Sequence, residues 1–159
     1  MIDIEKIKDR ILKGEQIENI VEEIDWKHFE ELVMEILRKQ DFITLQNFRF
    51  KTERRFEVDI LASDENNVLV IDCKQWNRGR YKKTGLKHVV EEQKHRLEEL
   101  KKFIKNNPIV KNKFRITEKT KFIPLIITWF EEDLLKHEDT FIVPVWKLNE
   151  FLLSLSEYI

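Results

Sequence analysis

Phe56-Glu57-Val58-Asp59-Ile60-Leu61-Ala62, then Ser63-Asp64-Glu65-Asn66-Asn67, then Val68-Leu69-Val70-Ile71-Asp72-Cys73-Lys74-Gln75 is the stretch on which the fold turns. Two apolar, β-branched runs flank a cluster of Ser, Asp and Asn that favours a turn, so the stretch predicts an antiparallel hairpin with strands 56–62 and 68–75. Glu57, Asp59, Asp72 and Lys74 interrupt these runs, where a buried strand should carry no charge. Strand side chains alternate faces, so Asp72 and Lys74 share one face while Ile71 and Cys73 point the other way. A turn of two or four residues makes paired numbers sum to an odd value and sets Asp59 opposite Asp72 or Lys74. In the register that pairs 63 with 68, Asp59 faces Asp72 and Glu57 faces Lys74; a three-residue turn would put Asp59 on the other face. Opposed carboxylates repel unless a proton or a cation lies between them, and a divalent metal answers both charges at once.

Working outward, residues 3–13 and 16–24 suggest short amphipathic helices separated by Gly14, and Asp25 suits the N-cap of a helix over 26–40. Apolar residues at 26, 29, 32, 33, 36 and 37 set its buried stripe, which leaves Glu30 near the edge of that stripe and Glu31 and Glu35 in water. A strand from Phe42 to Phe50 precedes the hairpin. Beyond it come a long helix at 85–105, strands at 121–129 and 141–146, and a closing helix at 147–157. The order predicts an α/β (α+β) fold: a mixed central β-sheet flanked by helices, with a core order αβββαβ and an N-terminal helical extension over 1–24 ahead of a single domain at 25–159.

A chain of 159 residues with 42% hydrophobic and 37% charged side chains fits one folded domain and excludes a disordered or fibrous chain. The single cysteine, Cys73, excludes an internal disulfide and a Cys-cluster zinc site, and no apolar run approaches the ~20 residues of a membrane span. A cytoplasmic protein without a signal peptide is the expectation. The net charge of −1 hides a segregation. Residues 77–121 hold fifteen basic and five acidic side chains, a balance of +10 between flanks of −6 and −5. Within it, Arg78, Arg80, Tyr81, Lys82 and Lys83 join guanidinium forks, ammonium groups and a stackable ring on a Gly-punctuated loop over 77–85, with Lys87 just beyond it, as a nucleic-acid contact requires.

Phe29-Glu30 on a helix, Glu57-Val58-Asp59 on one strand and Asp72-Cys73-Lys74 on the next resemble the PD-(D/E)xK nuclease superfamily, most of all the Mrr-type restriction endonucleases and the archaeal Holliday junction resolvases. The resemblance covers residues 25–153. It implies a restriction-endonuclease-like fold and a metal-dependent DNA endonuclease that hydrolyses phosphodiester bonds in restriction or repair, with DNA as partner. Asp59 and Asp72 match the metal-binding carboxylates, Lys74 the lysine that activates or orients water, and Glu30 the helix acid. The backbone carbonyl of Cys73 would be a further ligand. Mg²⁺ suits such oxygen donors and Mn²⁺ would substitute for it.

Glu57, Gln75 and Gln93 are candidates for the surroundings of the site. Gln93 breaks the apolar stripe of its helix between Val90 and Leu97; it resembles a glutamine of RecB-type nucleases, but a core amide bonded to backbone is an equal reading. His88 and His95 lie seven apart, too far for the i,i+4 zinc spacing, and Cys73 has no paired base and is expected to be a buried hydrophobe. Two other functions remain open: a structure-specific resolvase, which needs a homodimer, and a non-catalytic nucleic-acid-binding module on a nuclease fold.

Overall fold

The computed structural model describes all residues except 1–2, 17–18, 21–22, 24–25, 75–82 and 130–135, and only the backbone of Ile4, Trp26, Lys27, Lys83 and Thr84. Strands β1 (Ile43–Lys51), β2 (Arg55–Ser63) and β3 (Asn67–Lys74) form an antiparallel meander. β3 then pairs in parallel with β4 (Lys121–Thr128), and β4 in parallel with β6 (Thr140–Pro144), which β5 (Lys136–His137) flanks antiparallel. The result is one mixed sheet of order β1-β2-β3-β4-β6-β5.

The hairpin register pairs Ser63 with Val68 and Ile60 with Ile71. Asp64 fixes it locally: its Oδ1 accepts the N–H groups of Asn66 (2.8 Å) and Asn67 (2.7 Å), and its own N–H reaches the Asn67 carbonyl at 3.0 Å. A short polar side chain that bonds the backbone ahead of it closes the four-residue turn in one register.

Two helices cover the sheet. From α2 (Trp26–Lys39), Phe29, Leu32, Val33 and Leu37 pack with Ile60, Ala62, Ile71 and Cys73 on one face. From α3 (Lys83–Lys105), Leu97, Leu100 and Ile104 pack with Phe56, Val58, Leu61, Val68 and Val70 on the other. Each such fully buried side chain contributes roughly 1.5–3 kcal/mol. α3 and the short α4 (Pro108–Lys113) make the crossover that a parallel β3–β4 pair requires. α1 (Ile4–Leu12), capped by Asp3, meets α2 through Lys39 and Glu5 at 2.9 Å and sends Ile7 against the core.

Strict alternation fails in the middle of β2. Ile60 and Ala62 belong to the α2 face, yet Phe56 and Val58, which share their parity, belong to the α3 face. The switch falls where the β1–β2 pairing passes from Gln46↔Ile60 to Phe48↔Val58, across Asn47 and Asp59. Asn47 sits there at φ 54°, a left-handed conformation that asparagine tolerates better than most residues. Asp59 therefore lies at a kink.

Several boundaries differ from the sequence expectations. The strand expected over 141–146 stops at Pro144, because Val145–Lys147 turns into a 3-10 helix. The closing helix over 147–157 is divided at Ser154 into α5 (Leu148–Leu153) and α6 (Leu155–Tyr158). α4 was not expected, although Asn107-Pro108 carries its signal: the Asn107 side chain accepts the Val110 N–H at 3.2 Å, and Pro108 opens the helix. β5 has two residues and leaves no periodic trace. The expected helix at 16–24 and the Asp25 cap fall largely or wholly outside the described residues. Among the described residues, no helix is long and apolar enough to cross a membrane.

Candidate active site

The hydrogen-bonded pairing of β2 with β3 ends at Ile60↔Ile71, one step short of Asp59 and Asp72. There Asp59 Oδ2 accepts the backbone N–H of Cys73 at 2.9 Å, so a carboxylate takes the place of the next strand carbonyl. Asp72 is 5% exposed. Lys74 Nζ stands 3.1 Å from its Oδ2 and Arg96 Nη1 3.9 Å from its Oδ1. Two adjacent acids at the splayed end of a hairpin thus share one pocket with two cations.

The electrostatics mark Asp59. Burial, the Asp72 charge and a hydrogen bond between the two carboxyl groups push its pKa from 3.8 up to about 7, against the Cys73 N–H, which favours the ionised form; Glu30 adds to the rise. A carboxyl so placed holds a proton near neutrality unless a cation takes its place. Asp59 and Asp72 supply hard oxygen donors, and among the described residues the two nearby cations stand against Asp72, a setting that fits Mg²⁺ or Mn²⁺. The Cys73 side chain is almost fully buried, and burial together with Asp59, Glu30 and Asp72 pushes its thiol pKa up, so it packs as a hydrophobe.

Glu30 of α2 does turn inward. It is 7% exposed and its Oε2 accepts from Gln46 Nε2 at 2.7 Å. Gln46 was not anticipated, and its signal is slight: one of two adjacent amides, with Asn47, in a strand of mixed character. The expectation that Glu31 and Glu35 are in water is corrected, since both are half-buried. Glu31 is half-buried because α2 is covered well beyond one stripe, with Glu30, Leu32 and Met34 buried around it.

Glu57 is also corrected. It does not face Lys74; it is exposed and bonded to Arg49 of β1 at 2.8 Å, since the β2–β3 pairing has ended before reaching it. Gln93 is fully buried, and its amide donates to the Val70 carbonyl at 2.7 Å and the Leu125 carbonyl at 3.4 Å. Lys87 is half-buried on α3. Gln75, Arg78, Arg80, Tyr81 and Lys82 and the Lys83 side chain lie outside the described residues. Trp129 stacks on Phe29 at 4.8 Å in the core.

A second acidic group lies at the β1–β2 turn. Glu53, His95 and Glu99 place ligand atoms within 4.8 Å of one another and form a group able to hold a metal ion. Thr52 donates to Glu99 at 2.5 Å, Lys102 Nζ also donates to Glu99 at 3.0 Å, and His95 Nε2 is 3.2 Å from Glu53. Sequence reading saw only the seven-residue histidine spacing, because Glu53 joins the group through the fold.

Comparison with known proteins gives this arrangement a context. The chain is 30% identical over 135 residues to an uncharacterized protein of Archaeoglobus fulgidus, covering 84% of this chain and 94% of the relative. Among solved structures it is similar to a protein of unknown function, AF1548, with a TM-score of 0.48 and 17% identity over 81% of this chain and 66% of that one. It is also similar to protein VC1899 from Vibrio cholerae, with a TM-score of 0.37 and 14% identity, where the match spans 82% of this chain but only 32% of the other. The nuclease-related domain matches residues 25–144, from the start of α2 to the end of β6. The chain belongs to the nuclease-related domain (NERD) family, within a PD-(D/E)xK-like nuclease superfamily.

Proposed function

We propose that the protein is a metal-dependent DNA endonuclease of Mrr-like restriction or repair type, with Asp59, Asp72 and the Cys73 carbonyl as Mg²⁺ ligands, Glu30 as the helix acid beside them, and Lys74 as the residue that orients the attacking water. One observation carries this reading: a nuclease-related fold brings Asp59 against Asp72 at the open end of a hairpin, where Asp59 is left with a pKa near 7. A stability role alone gives no reason to set a half-buried acid against a buried one. When bound, Mg²⁺ supplies charge neutralisation at a phosphoryl oxygen and acidifies water. Asp59 releases its proton as the cation is taken up. Lys74, bonded to Asp72 and about one-third exposed, keeps an ammonium at the mouth of the site, able to hold a water in line with phosphorus.

The test is cleavage of supercoiled plasmid, linear duplex and a four-way junction with Mg²⁺ or with EDTA. Products in Mg²⁺ and none in EDTA are expected. Cleavage that survives EDTA overturns the metal assignment, and cleavage confined to the junction would replace the restriction or repair role with resolution by a homodimer.

Arg78, Arg80, Lys82 and Lys83 follow Lys74 within ten residues, so the chain leaves the site directly into the +10 segment. These residues are proposed to track the DNA backbone. Neutralising all four should reduce the salt dependence of binding, the slope of log K against log salt falling by about 3.6, because each lost phosphate contact removes about 0.9. An unchanged slope in fluorescence anisotropy would show that the segment is only a solvated face.

A further inference from the structure

Gln93 is a side chain of the α3 core that apolar packing does not explain. It is fully buried, and a buried amide is tolerated only when its hydrogen bonds are made. Its Nε2 donates to carbonyls of two neighbouring strands, Val70 of β3 and Leu125 of β4. Those two acceptors fix which way the amide faces, since the flipped orientation would set oxygen against oxygen. The oxygen is therefore turned outward, where it accepts from Arg96 Nη1 at 2.5 Å. Arg96 is thus held from behind by the core.

The same Arg96 nitrogen also stands near the acids. Its Nη1 is 3.9 Å from Asp72 Oδ1, beyond hydrogen-bond reach, while Lys74 already sits 3.1 Å from Asp72 Oδ2. Gln93, more than Asp72, sets where the guanidinium stands. A guanidinium has five donors in a planar fork matched to two oxygens of a phosphate, and this one is 22% exposed beside the carboxylates.

We propose that Arg96, seated by Gln93, grips the non-bridging oxygens of the phosphodiester at the Asp59–Asp72 site, which makes Arg96 a substrate-contacting residue and Gln93 a positioning residue. The inference rests on the nuclease reading above. Its rival is that Arg96 only balances the charge of Asp72.

The experiment measures plasmid nicking in Mg²⁺ for the wild type, Arg96→Ala, Arg96→Lys, Gln93→Met and the Arg96→Ala/Gln93→Met double variant, with thermal melts and calorimetry of Mg²⁺ binding on each. Arg96→Ala should lose about 100-fold in kcat/KM, the usual effect of one preorganised donor, with Mg²⁺ affinity near wild type and a lower melting temperature, because the buried Gln93 oxygen loses its donor. Millimolar guanidinium should restore part of that loss. Arg96→Lys should stay at least about tenfold low, because an ammonium has no fork to engage both Gln93 and phosphate. The double variant should be no worse than Arg96→Ala, because the amide acts through the guanidinium. Should Gln93→Met fail to fold, the two Arg96 variants decide. Arg96→Ala within threefold of wild type, full recovery in Arg96→Lys, or loss of Mg²⁺ binding with activity would overturn the proposal while the nuclease reading stands. A wild type that cuts none of the DNA substrates removes the nuclease reading, and the Arg96 role falls with it.

Discussion

Asp72→Asn is expected to lower Mg²⁺-dependent nicking of supercoiled plasmid by about a thousandfold or more, the scale on which removal of a principal electrostatic group acts. An amide keeps the shape of Asp72 and loses the charge that a cation needs. The side chain also faces Lys74 and Arg96, so the variant leaves an ammonium and a guanidinium without their shared counter-charge and gains no stability from the exchange. Lys74→Ala should behave differently. It retains Mg²⁺ binding, because an ammonium is no ligand, and loses about 100-fold in rate if it orients water. Plasmid nicking and calorimetry on the same pair separate the roles. If Asp72→Asn cuts at the wild-type rate, the site lies elsewhere, and the Glu53–His95–Glu99 group becomes the first alternative to test.

Much of this geometry was legible because it is local. The turn chemistry of Asp64, Asn66 and Asn67 sets the register, and register with alternation brings Asp59 up to Asp72. The helical stripe likewise put Glu30 at the edge of the buried face. What sequence could not supply comes from long-range packing. Alternation assigns Glu57 to the face of Lys74, but the kink at Asn47 and Asp59 and the end of the β2–β3 ladder turn Glu57 out to Arg49. Gln46 meets Glu30 across sixteen residues and Thr52 meets Glu99 across forty-seven, contacts that no periodicity encodes. Arg96 was hidden for another reason: on a helix rich in Lys and Glu, one more cation reads as a solvated face, and only the orientation of the Gln93 amide distinguishes it.

The pKa of Asp59 should be visible in stability before any catalysis is measured. The carboxyl titrates near 3.8 in an unfolded chain and about 7 in the folded one, so between those values the folded protein holds a proton that the unfolded chain has released. Stability from this group is complete below about pH 4 and is lost as pH rises through 7, after which it is level. Asp59→Asn cannot ionise and should abolish that decline while keeping an oxygen for the Cys73 N–H. At pH 8 without metal the variant should be the more stable of the two and melt at the higher temperature. Mg²⁺ should act against that ranking. At about 100 times its dissociation constant it stabilises the wild type by about 2.7 kcal/mol, and this gain should grow with pH as the competing proton leaves and be absent in the variant. Melts of both proteins from pH 5 to pH 8, with and without Mg²⁺, test this directly. A pH-independent difference between the two would mean that Asp59 is ionised throughout, already neutralised by the cations around Asp72, with no charge left for a metal to answer.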